Sequence, residues 1–324
     1  MTLPRDLRPT LPRDLRPMLA TAGALPPDDP AWAYEVKWDG VRVLAAVEGG
    51  RVALTSRAGN DVTGGYPELA GLAGAVDGPV LLDGEVVALS PAGVPDFGRL
   101  QSRMHVRSPT ASLRASTPVT FVVFDLLHAG GTSVLDDSYD ERRVRLEELG
   151  LAGPHWQVPT AFVGEGAAVS EATRAQGMEG VVAKLRSSRY QPGRRSDHWV
   201  KVKHVRRTSA VVVGWKPGEG GRAGRLGSLL LGVVQDGRLV FAGHVGTGLS
   251  AATLALLGDR LAPLRRDTPP LGDVPHEHAR HAVWVEPLLV CEVEFTEWTS
   301  TGRLRHPSYK GLRDDVDPGA VVRE

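Results

Sequence analysis

Cysteine is almost absent from this sequence of 324 residues, and no long apolar run occurs in it. The single cysteine, Cys291, excludes an internal disulfide and a four-cysteine zinc site. Its neighbours, LLVCEVEF, predict a buried position in a strand. A membrane helix needs about 18 or more consecutive apolar residues, and none are present, so no span is expected. The charged start, MTLPRDLRPT, lacks the apolar core of a secretory signal, which predicts a cytoplasmic protein.

An excess of charge of either sign is also missing. Lysine plus arginine and aspartate plus glutamate number 38 each, so overall charge neither favours nor excludes a nucleic-acid partner. Only a local basic surface would favour one, because phosphate binding depends on where the charges lie. The apolar fraction of 42% is enough to form cores. At roughly 100–200 residues per domain, the length predicts two domains.

A short segment, LPRDLRP, occurs twice at the start of the chain. The copies are Leu3–Pro9 and Leu11–Pro17. Proline fixes its own φ and lacks a backbone donor, so this composition disfavours helix and sheet. We therefore expect residues 1–18 to form a flexible arm.

Short strands and two helices are predicted for a first domain, which we place at residues 19–205. Asp-Gly and Gly-Gly pairs between apolar runs predict hairpins. Ser138 and Glu141 form a capping box, and Gly150 is placed to end that helix. A second helix is expected over 167–175. It is followed by strands at GVVAKLR and HWVKVK and by the basic segment KHVRR.

Residues 206–324 show a different order of predicted strands and helices, which indicates a second domain. SAVVVGW, SLLLGVV and RLVFAGHV predict three strands, and SAATLALLGDRLAPL predicts a helix capped by Ser250. Further strands are expected near LLVCEVEF and LRHP. Three strands, a helix and two more strands is the order of a five-stranded OB barrel, a fold that often binds nucleic acid.

The segment YEVKWDGVR carries the first sign of chemistry. Asp39-Gly40 predicts a turn between two strands, so Lys37 and Arg42 can face one cleft. A lysine is a poor nucleophile at its reference pKa of about 10.4, and burial or neighbouring cations lower that pKa. Taken alone, Lys-x-Asp-Gly more often marks an ordinary structural turn.

Five further segments follow in order: SRAGNDV with Arg57, LLDGEVV with Glu85, VVFDLL with Phe124, MEGVVAK with Glu179, and WVKVK with Lys201 and Lys203. Together the six segments resemble the nucleotidyltransferase motifs of ATP-dependent DNA ligases, whose superfamily also contains RNA ligases and mRNA capping enzymes. PMLA at Pro17–Ala20 and RLRHPSYKGLRDD near the C-terminus are similar to bacterial end-joining ligases, namely the ligase module of ligase D and stand-alone ligase C. The resemblance implies an α+β protein. A mixed α/β adenylylation domain of the ATP-grasp-like nucleotidyltransferase type would precede an OB-fold β-barrel.

The resemblance also implies a role for each matched side chain. Lys37 would attack the α-phosphorus of ATP to form lysyl-AMP. Lys201 and Lys203, which share one face of a strand, would hold the α-phosphate. Glu85 and Glu179 would bind Mg²⁺ or Mn²⁺ through hard carboxylate oxygens, and a contact of Glu85 with the ribose is the alternative.

The remaining matched side chains would bind the nucleotide and the DNA. Phe124 would stack on adenine, and Glu35 would lie at the edge of the base. Arg42 and Arg57 would bind ribose and DNA phosphate. Each of these has an ordinary alternative, such as a core position for Phe124.

The C-terminal motif departs from the family pattern at its last position. Arg313 is matched and would act in catalysis, but Val316 stands where the family usually has lysine. That lysine orients the leaving pyrophosphate in the family. Its absence weakens the prediction of efficient self-adenylylation but leaves the reaction class unchanged.

The resemblance implies an ATP-dependent DNA ligase that seals 5′-phosphate and 3′-hydroxyl breaks through lysyl-AMP and DNA-adenylate, in repair and end joining. Its expected partners are DNA with nicks or breaks, bacterial Ku, and the polymerase and nuclease proteins of end joining. We expect a monomer associated with the nucleoid. The nearest alternative is an RNA ligase or a capping-type nucleotidyltransferase. A non-catalytic nucleic-acid-binding protein on the same scaffold is the alternative from another class.

Two further segments have open interpretations. Gly218–Gly227, which contains two arginines, is equally typical of a solvated hairpin loop and of a loop that contacts a phosphate backbone. HEHARH carries His276, His278 and His281. No cysteine or further cluster of acids accompanies these histidines, so a surface loop is favoured over a metal site.

Overall fold

The chain folds into two compact units, one ending at His204 and one beginning at Val205. The computed structural model describes residues 11–218, 226–272, 274–299 and 301–323. Within those ranges, no helix combines the length and the apolar character needed to cross a membrane. Each unit has a hydrophobic core of its own.

Two sheets form the first unit. Its strands are, in chain order, β1 (Leu19–Ala22), β2 (Trp32–Val36), β3 (Val41–Glu48), β4 (Arg51–Ser56), β5 (Val80–Ala88), β6 (Val119–Ala129), β7 (Thr132–Ser133), β8 (Ala152–Gly153), β9 (Trp156–Gln157), β10 (Phe162–Val163), β11 (Gly180–Leu185) and β12 (Arg195–Lys203). The first sheet has the order β1-β12-β11-β2-β10, with β1 and β12 parallel and the other pairs antiparallel. The second sheet has the order β4-β3-β5-β6-β9-β8, with β7 paired to β6. The chain leaves the first sheet after β2 and returns to it at β10, so residues distant in sequence become neighbours.

Four α-helices accompany these sheets: α1 (Phe97–Gln101), α2 (Ala111–Ser116), α3 (Tyr139–Glu148) and α4 (Gly166–Ala175). The predicted capping box begins α3: the Ser138 hydroxyl accepts a hydrogen bond from the Glu141 N–H, and the Glu141 carboxylate accepts one from the Ser138 N–H. Gly150 has a φ of 59°, a left-handed conformation that glycine adopts readily after a helix. The second predicted helix is confirmed as α4.

The expectation of a flexible arm over residues 1–18 is wrong for the second copy of the repeat. Leu11 and Met18 are buried, and they pack with apolar side chains of β3, β5 and β6. The backbone carbonyl oxygen of Arg16 accepts a hydrogen bond from the Gly193 N–H at 2.9 Å. Burial of Leu11 against this apolar surface favours an ordered segment, and this gain outweighs the effect of the prolines, which disfavour regular structure. The first copy, Leu3–Pro9, lies outside the described residues.

In the described part of the second unit, one sheet is accompanied by two α-helices. Its elements are β13 (Arg206–Pro217), β14 (Leu226–Gln235), β15 (Arg238–Val245), α5 (Ala251–Leu261), β16 (Arg265–Arg266), α6 (His276–Ala279), β17 (Val283–Val285), β18 (Val290–Phe295) and β19 (Ser308–Leu312). Strands pair in the order β15-β14-β13-β18-β19, and β17 and β16 extend from β13. The Ser250 hydroxyl caps α5 as predicted. Cys291 is buried in β18, and burial raises its pKa to about 12, as expected of an inert thiol.

Two details of the second unit differ from what the sequence predicts, and one segment with an open interpretation lies mostly outside the described residues. The last strand begins at Ser308 rather than at LRHP, where His306 adopts a positive φ of 49°. Among the described residues, no continuous ladder closes a barrel; β15 and β19 are linked near their ends by one parallel bridge, Thr247 to Ser308. Within the open-interpretation segment Gly218–Gly227, residues 219–225 lie outside the described part of the chain.

Candidate active site

A cavity of about 310 Å³ in the first unit is lined by side chains of both sheets. The predicted site residues that line it are Glu35, Lys37, Arg42, Arg57, Glu85, Phe124, Lys201 and Lys203. Strand pairing explains this convergence: Arg42 of β3 lies opposite Glu85 of β5, and Glu35 of β2 lies opposite Val182 of β11. Val182 in turn lies opposite Lys201 of β12, so one row of the first sheet faces the cavity.

Lys37 lies directly after β2, and its ammonium contacts the carboxylate of Glu179. The backbone N–H of Lys37 donates to the Gly180 carbonyl oxygen at 2.9 Å, and Gly180 lies opposite Lys203. The Lys203 ammonium lies 2.8 Å from the other carboxylate oxygen of Glu179. The ends of three strands therefore bring two lysines onto one carboxylate.

The charge of Glu179 follows from these contacts. Burial raises its pKa, but the charge of Lys37 and the hydrogen bonds from Lys203 and Lys37 outweigh burial, so the net shift is downward. Glu179 therefore stays ionised beside the two lysines.

Lys201 and Lys203 are two residues apart on β12, so their side chains share one face, as predicted. Burial lowers the pKa of Lys201, and neighbouring cations, beginning with Arg195 and Lys37, lower it further. Among the described residues, no carboxylate lies within ion-pair distance of Lys201. Its ammonium can therefore bind an anion such as a phosphate.

Glu35 and Lys184 form a buried ion pair in the wall of the cavity. The Lys184 ammonium lies 2.9 Å from one carboxylate oxygen of Glu35, and the Tyr139 hydroxyl donates to the other at 2.6 Å. Burial lowers the pKa of Lys184, although Glu35 and Asp125 oppose that shift. Because Glu35 is 3% exposed, the pair fixes a polar edge in a largely water-free wall.

Aromatic rings surround the Lys184 ammonium. Its nitrogen lies 4.3 Å from the centroid of Trp199 and 4.7 Å from that of Phe124. Such distances allow cation–π attraction. The Lys184 ammonium therefore helps to fix the orientation of the Phe124 ring, which lines the cavity.

Arg42 is held by a second buried carboxylate. Its guanidinium donates to both oxygens of Asp83, at 2.8 and 2.6 Å, in a fork-to-fork arrangement. The Tyr190 hydroxyl donates to the same carboxylate at 2.6 Å. The predicted contact of Arg42 with ribose or DNA phosphate would thus be made by an arginine whose position is already fixed.

Glu85 differs from the other carboxylates of the cavity. No hydrogen bond or ion pair to it is found among the described residues. Desolvation raises its pKa to about 8, with Arg42 and Lys37 lowering it in part and Asp83 raising it further. Arg42, the cation that most lowers this pKa, is already paired with Asp83.

Glu85 and Glu179 are the carboxylates that could hold a divalent cation. No group of three or more His, Cys, Asp or Glu side chains able to hold a metal occurs within the described ranges. Magnesium, however, is typically bound by one or two carboxylates together with water and substrate phosphates. Glu85, which has no ion pair among the described residues, and Glu179, whose charge raises the pKa of Glu85, could supply such carboxylates.

The predicted arginines Arg57 and Arg313 lie in different units: Arg57 lines the cavity of the first unit, and Arg313 belongs to the second unit. Arg57 is exposed at the cavity, without a carboxylate at ion-pair distance among the described residues. Arg313 lies in the second unit, where both oxygens of Asp315 accept hydrogen bonds from it at 2.8 Å. Val316, at the departure from the family motif, packs against the core of that unit.

Sequence reasoning assigned no role to Lys184, Asp83, Trp199 or Tyr190. Lys184 carried a signal, because a lysine within the apolar run VVAKL needs a buried partner. Asp83 carried one as well, since it stands among apolar residues of β5. Their partners lie more than forty residues away, so the pairing itself was not visible in the local pattern.

Two protein-family models match this chain. The model described as ATP dependent DNA ligase domain matches residues 17–203, and the model described as ATP dependent DNA ligase C terminal region matches residues 222–316. The two matches coincide with the unit that carries the cavity and with most of the second unit.

Proteins of two organisms show the same relationship. The multifunctional non-homologous end joining DNA repair protein LigD of Mycobacterium tuberculosis is 46% identical over 310 residues, which cover 95% of this chain but 39% of that protein. A DNA ligase of Haloarcula marismortui is 34% identical, over 93% of this chain and 54% of that protein. The chain thus spans well under two thirds of the length of these relatives.

A solved structure agrees with these matches. The structure of mycobacterial DNA ligase D complexed with ATP and MES is 44% identical, covers 96% of this chain and 99% of that chain, and has a TM-score of 0.57. The family's nucleotidyltransferase and OB-fold domains account for the two units. The chain therefore belongs to the ATP-dependent DNA ligase family.

Proposed function

We propose that this chain is an ATP-dependent DNA ligase that seals 5′-phosphate and 3′-hydroxyl breaks in the repair of DNA by end joining. The observation that carries the proposal is the position of Lys37: it contacts Glu179 in a cavity that also presents Lys201 and Lys203. A nucleophilic nitrogen beside phosphate-binding cations is what transfer of a nucleotide to lysine requires.

In the first step, the Lys37 nitrogen forms a bond to the α-phosphorus of ATP while the bond to the bridging oxygen breaks. The electron pair of that bond leaves with pyrophosphate. Lys201 and Lys203 are placed to stabilise the negative charge on the α-phosphoryl oxygens. The Lys37 nitrogen attacks as the free amine, so its ion pair with Glu179 must be given up first. We therefore expect this contact to loosen when ATP binds.

Mg²⁺ or Mn²⁺ would be held by Glu85 and Glu179. Bound there, it would neutralise phosphate charge and compete with Lys37 for the Glu179 carboxylate. Phe124 would stack on the base, and Glu35, held by Lys184, would accept a hydrogen bond at its edge.

In the second step, a 5′-phosphate oxygen of DNA would attack the lysyl-AMP phosphorus, and the Lys37 nitrogen would leave. In the third, a 3′-hydroxyl would attack the 5′-phosphorus and AMP would leave. Arg57 and the fixed guanidinium of Arg42 would position the DNA phosphate. The third step no longer uses the Lys37 nitrogen as nucleophile.

The test incubates the pure protein, freed of bound AMP with pyrophosphate, with α-labelled ATP and Mg²⁺ or Mn²⁺. We expect label on the wild type that survives denaturation and alkali but is released by hot acid, as expected of a phosphoramidate, and none on Lys37→Arg, which keeps the charge beside Glu179. The variant should still seal a nick that is already adenylylated. Absence of label on the wild type with either metal would refute the proposal. Label from GTP instead of ATP, or sealing of RNA alone, would favour the capping or RNA-ligase alternative.

We further propose that bacterial Ku and the polymerase and nuclease proteins of end joining deliver DNA ends to this chain. Support comes from the similarity to LigD proteins, whose names place them in non-homologous end joining. Joining of linear duplexes by the purified chain, with and without Ku, measures this directly. Equal joining rates and no co-purification with Ku would overturn it.

A further inference from the structure

A cluster of basic side chains lies on the second unit and has no part in the mechanism above. His244 of β15 and His278 of α6 lie with ring centroids 5.1 Å apart. His278 also packs 5.1 Å from the ring of Phe241, and the Arg303 guanidinium lies 5.9 Å from the centroid of that ring. The Lys216 ammonium donates to the Glu277 carbonyl oxygen at 2.8 Å, beside His278.

The charges around the two imidazoles are mostly positive. Burial lowers the pKa of both histidines; Lys216 lowers that of His244, and Arg303, Lys216 and His244 lower that of His278. Among the described residues, the group that opposes the shift at His278 is Glu277, whose carboxylate is 3.9 Å from His278 and 3.9 Å from Arg303. Among the described residues, two cations and two imidazoles thus lie around one carboxylate, so positive charge exceeds negative charge in this cluster.

Three parts of the chain that are distant in sequence build this cluster. Lys216 lies near the end of β13, next to the β13–β14 connection. His244 is on β15, and Arg303 is in the β18–β19 connection. In an OB fold, the second and third strands and the connection between the fourth and fifth strands belong to the surface that commonly contacts oligonucleotides. His278 is added to that surface by the segment HEHARH, which the proposed ligase chemistry does not use.

We propose that His244, His278, Lys216 and Arg303 bind a phosphate of the DNA backbone, and that the two histidines take up protons when it binds. This inference rests on the proposed function, because it assumes that the chain binds DNA. The two imidazoles are close enough to donate hydrogen bonds to one phosphate group. Lys216 and Arg303 supply charge at any physiological pH.

Protonation of the two histidines and binding of the phosphate favour each other. Neighbouring cations disfavour imidazolium in the free protein, and a phosphate placed among them favours it by the same kind of interaction. A ligand that raises the pKa of a group binds more tightly as the pH falls through that range. A metal site is the alternative use of paired histidines, but within the described ranges no group of three His, Cys, Asp or Glu side chains has the arrangement needed to hold a metal.

The experiment measures binding of a nicked duplex with a 3′-dideoxy end, which cannot be sealed, by fluorescence anisotropy at about pH 6 and about pH 8 over a range of salt. The double variant His244→Gln/His278→Gln is compared with wild type. His276→Gln, an exposed histidine of the same segment, is the matched control. Lys216→Gln is included because its loss should weaken binding at both pH values.

At about pH 6 we expect the double variant to bind roughly tenfold more weakly than wild type, with a shallower salt dependence, and at about pH 8 less than about twofold more weakly. His276→Gln should follow wild type. Thermal unfolding shows whether each variant is folded. A double variant that keeps the full gain in affinity at low pH would overturn the proposal.

Failure of the proposed function gives a different result. In that case the wild type would form no lysyl-AMP and bind the duplex at neither pH, and the phosphate site would fall with it. If lysyl-AMP forms and the duplex binds, but wild type and double variant respond to pH alike, only the phosphate site is refuted.

Discussion

Replacing Glu85 with glutamine should stabilise the metal-free protein, although the residue belongs to the proposed active site. The wild-type carboxyl is desolvated, and among the described residues it has no ion-pair partner. Desolvation raises its pKa from 4.5 to about 8. Between those values the folded protein keeps a proton that the unfolded chain has released. Stability contributed by the protonated carboxyl is present below about pH 4.5 and is lost as the pH rises through about 8.

The size of the effect follows from that shift. Unscreened, it corresponds to roughly 4 to 5 kcal/mol between the two protonation states. The Glu85 side chain keeps partial contact with solvent at the cavity, so we expect about half of this, ~2 kcal/mol at pH values near 8. Glutamine does not ionise and avoids this loss. For a unit of this size, ~2 kcal/mol corresponds to a rise in Tm of about 4–8 °C.

Differential scanning calorimetry in EDTA, on protein freed of AMP, measures this at about pH 5 and about pH 8.5. Glu171→Gln, an exposed glutamate on α4, is the matched control and should leave Tm unchanged at both pH values. The gap between Glu85→Gln and wild type should be small at the lower pH and largest at the higher. A variant that is less stable than wild type at about pH 8.5 would show that Glu85 is paired, and the reasoning would fail.

Three further substitutions test the buried contacts that hold the site. Tyr190→Phe removes the donor to Asp83 and should lower the free energy of unfolding in urea by about 1–2 kcal/mol, with no change in m. Arg142→Met leaves the carboxylate of Asp125 unpaired and should cost about 3–5 kcal/mol; a loss below about 1 kcal/mol would mean that water replaces the guanidinium. Gly180→Ala would place a Cβ 2.0 Å from a carbonyl oxygen of β12 at a φ of 155°, so we expect lost AMP labelling and at least about 2 kcal/mol of destabilisation. Wild-type labelling by this last variant would contradict the strand geometry.

Local signals in the sequence predicted local structure well. The capping box at Ser138, the cap at Ser250 and the helix over 167–175 depend on residues within one or two helical turns of each other, and all three are confirmed. Pairing of β1 with β12 and of β10 with β2 was not predicted. Those pairs join residues more than one hundred positions apart, and short strands carry little information about their partner.

For the site residues, too, the local sequence motifs were recognised, whereas the long-range contacts were not. Those within recognisable motifs, such as Lys37 and Glu85, were named from the sequence, and they line one cavity. Lys184 and Asp83, which hold the site residues Glu35 and Arg42, were present in the same motifs but received no role. Their importance arises from burial, which turns an ordinary charged residue into one that requires a partner. The misjudged second repeat has the same origin, because Leu11 could be placed only by knowing which surface it covers.

The charge balance of the cavity explains why overall composition says nothing about its ligand. Glu35, Asp83 and Glu179 each have a cation at ion-pair distance, so their charges are largely cancelled within the protein. Lys201 and Arg57 have no such partner among the described residues, and the remaining carboxyl, Glu85, holds a proton at neutral pH. The side chains around the cavity therefore carry a net positive charge although the chain is neutral overall, with 38 residues of each sign. Such a cavity favours a polyphosphate, and loss of the Glu85 proton leaves a negative oxygen where a divalent cation is needed to balance the phosphate charge.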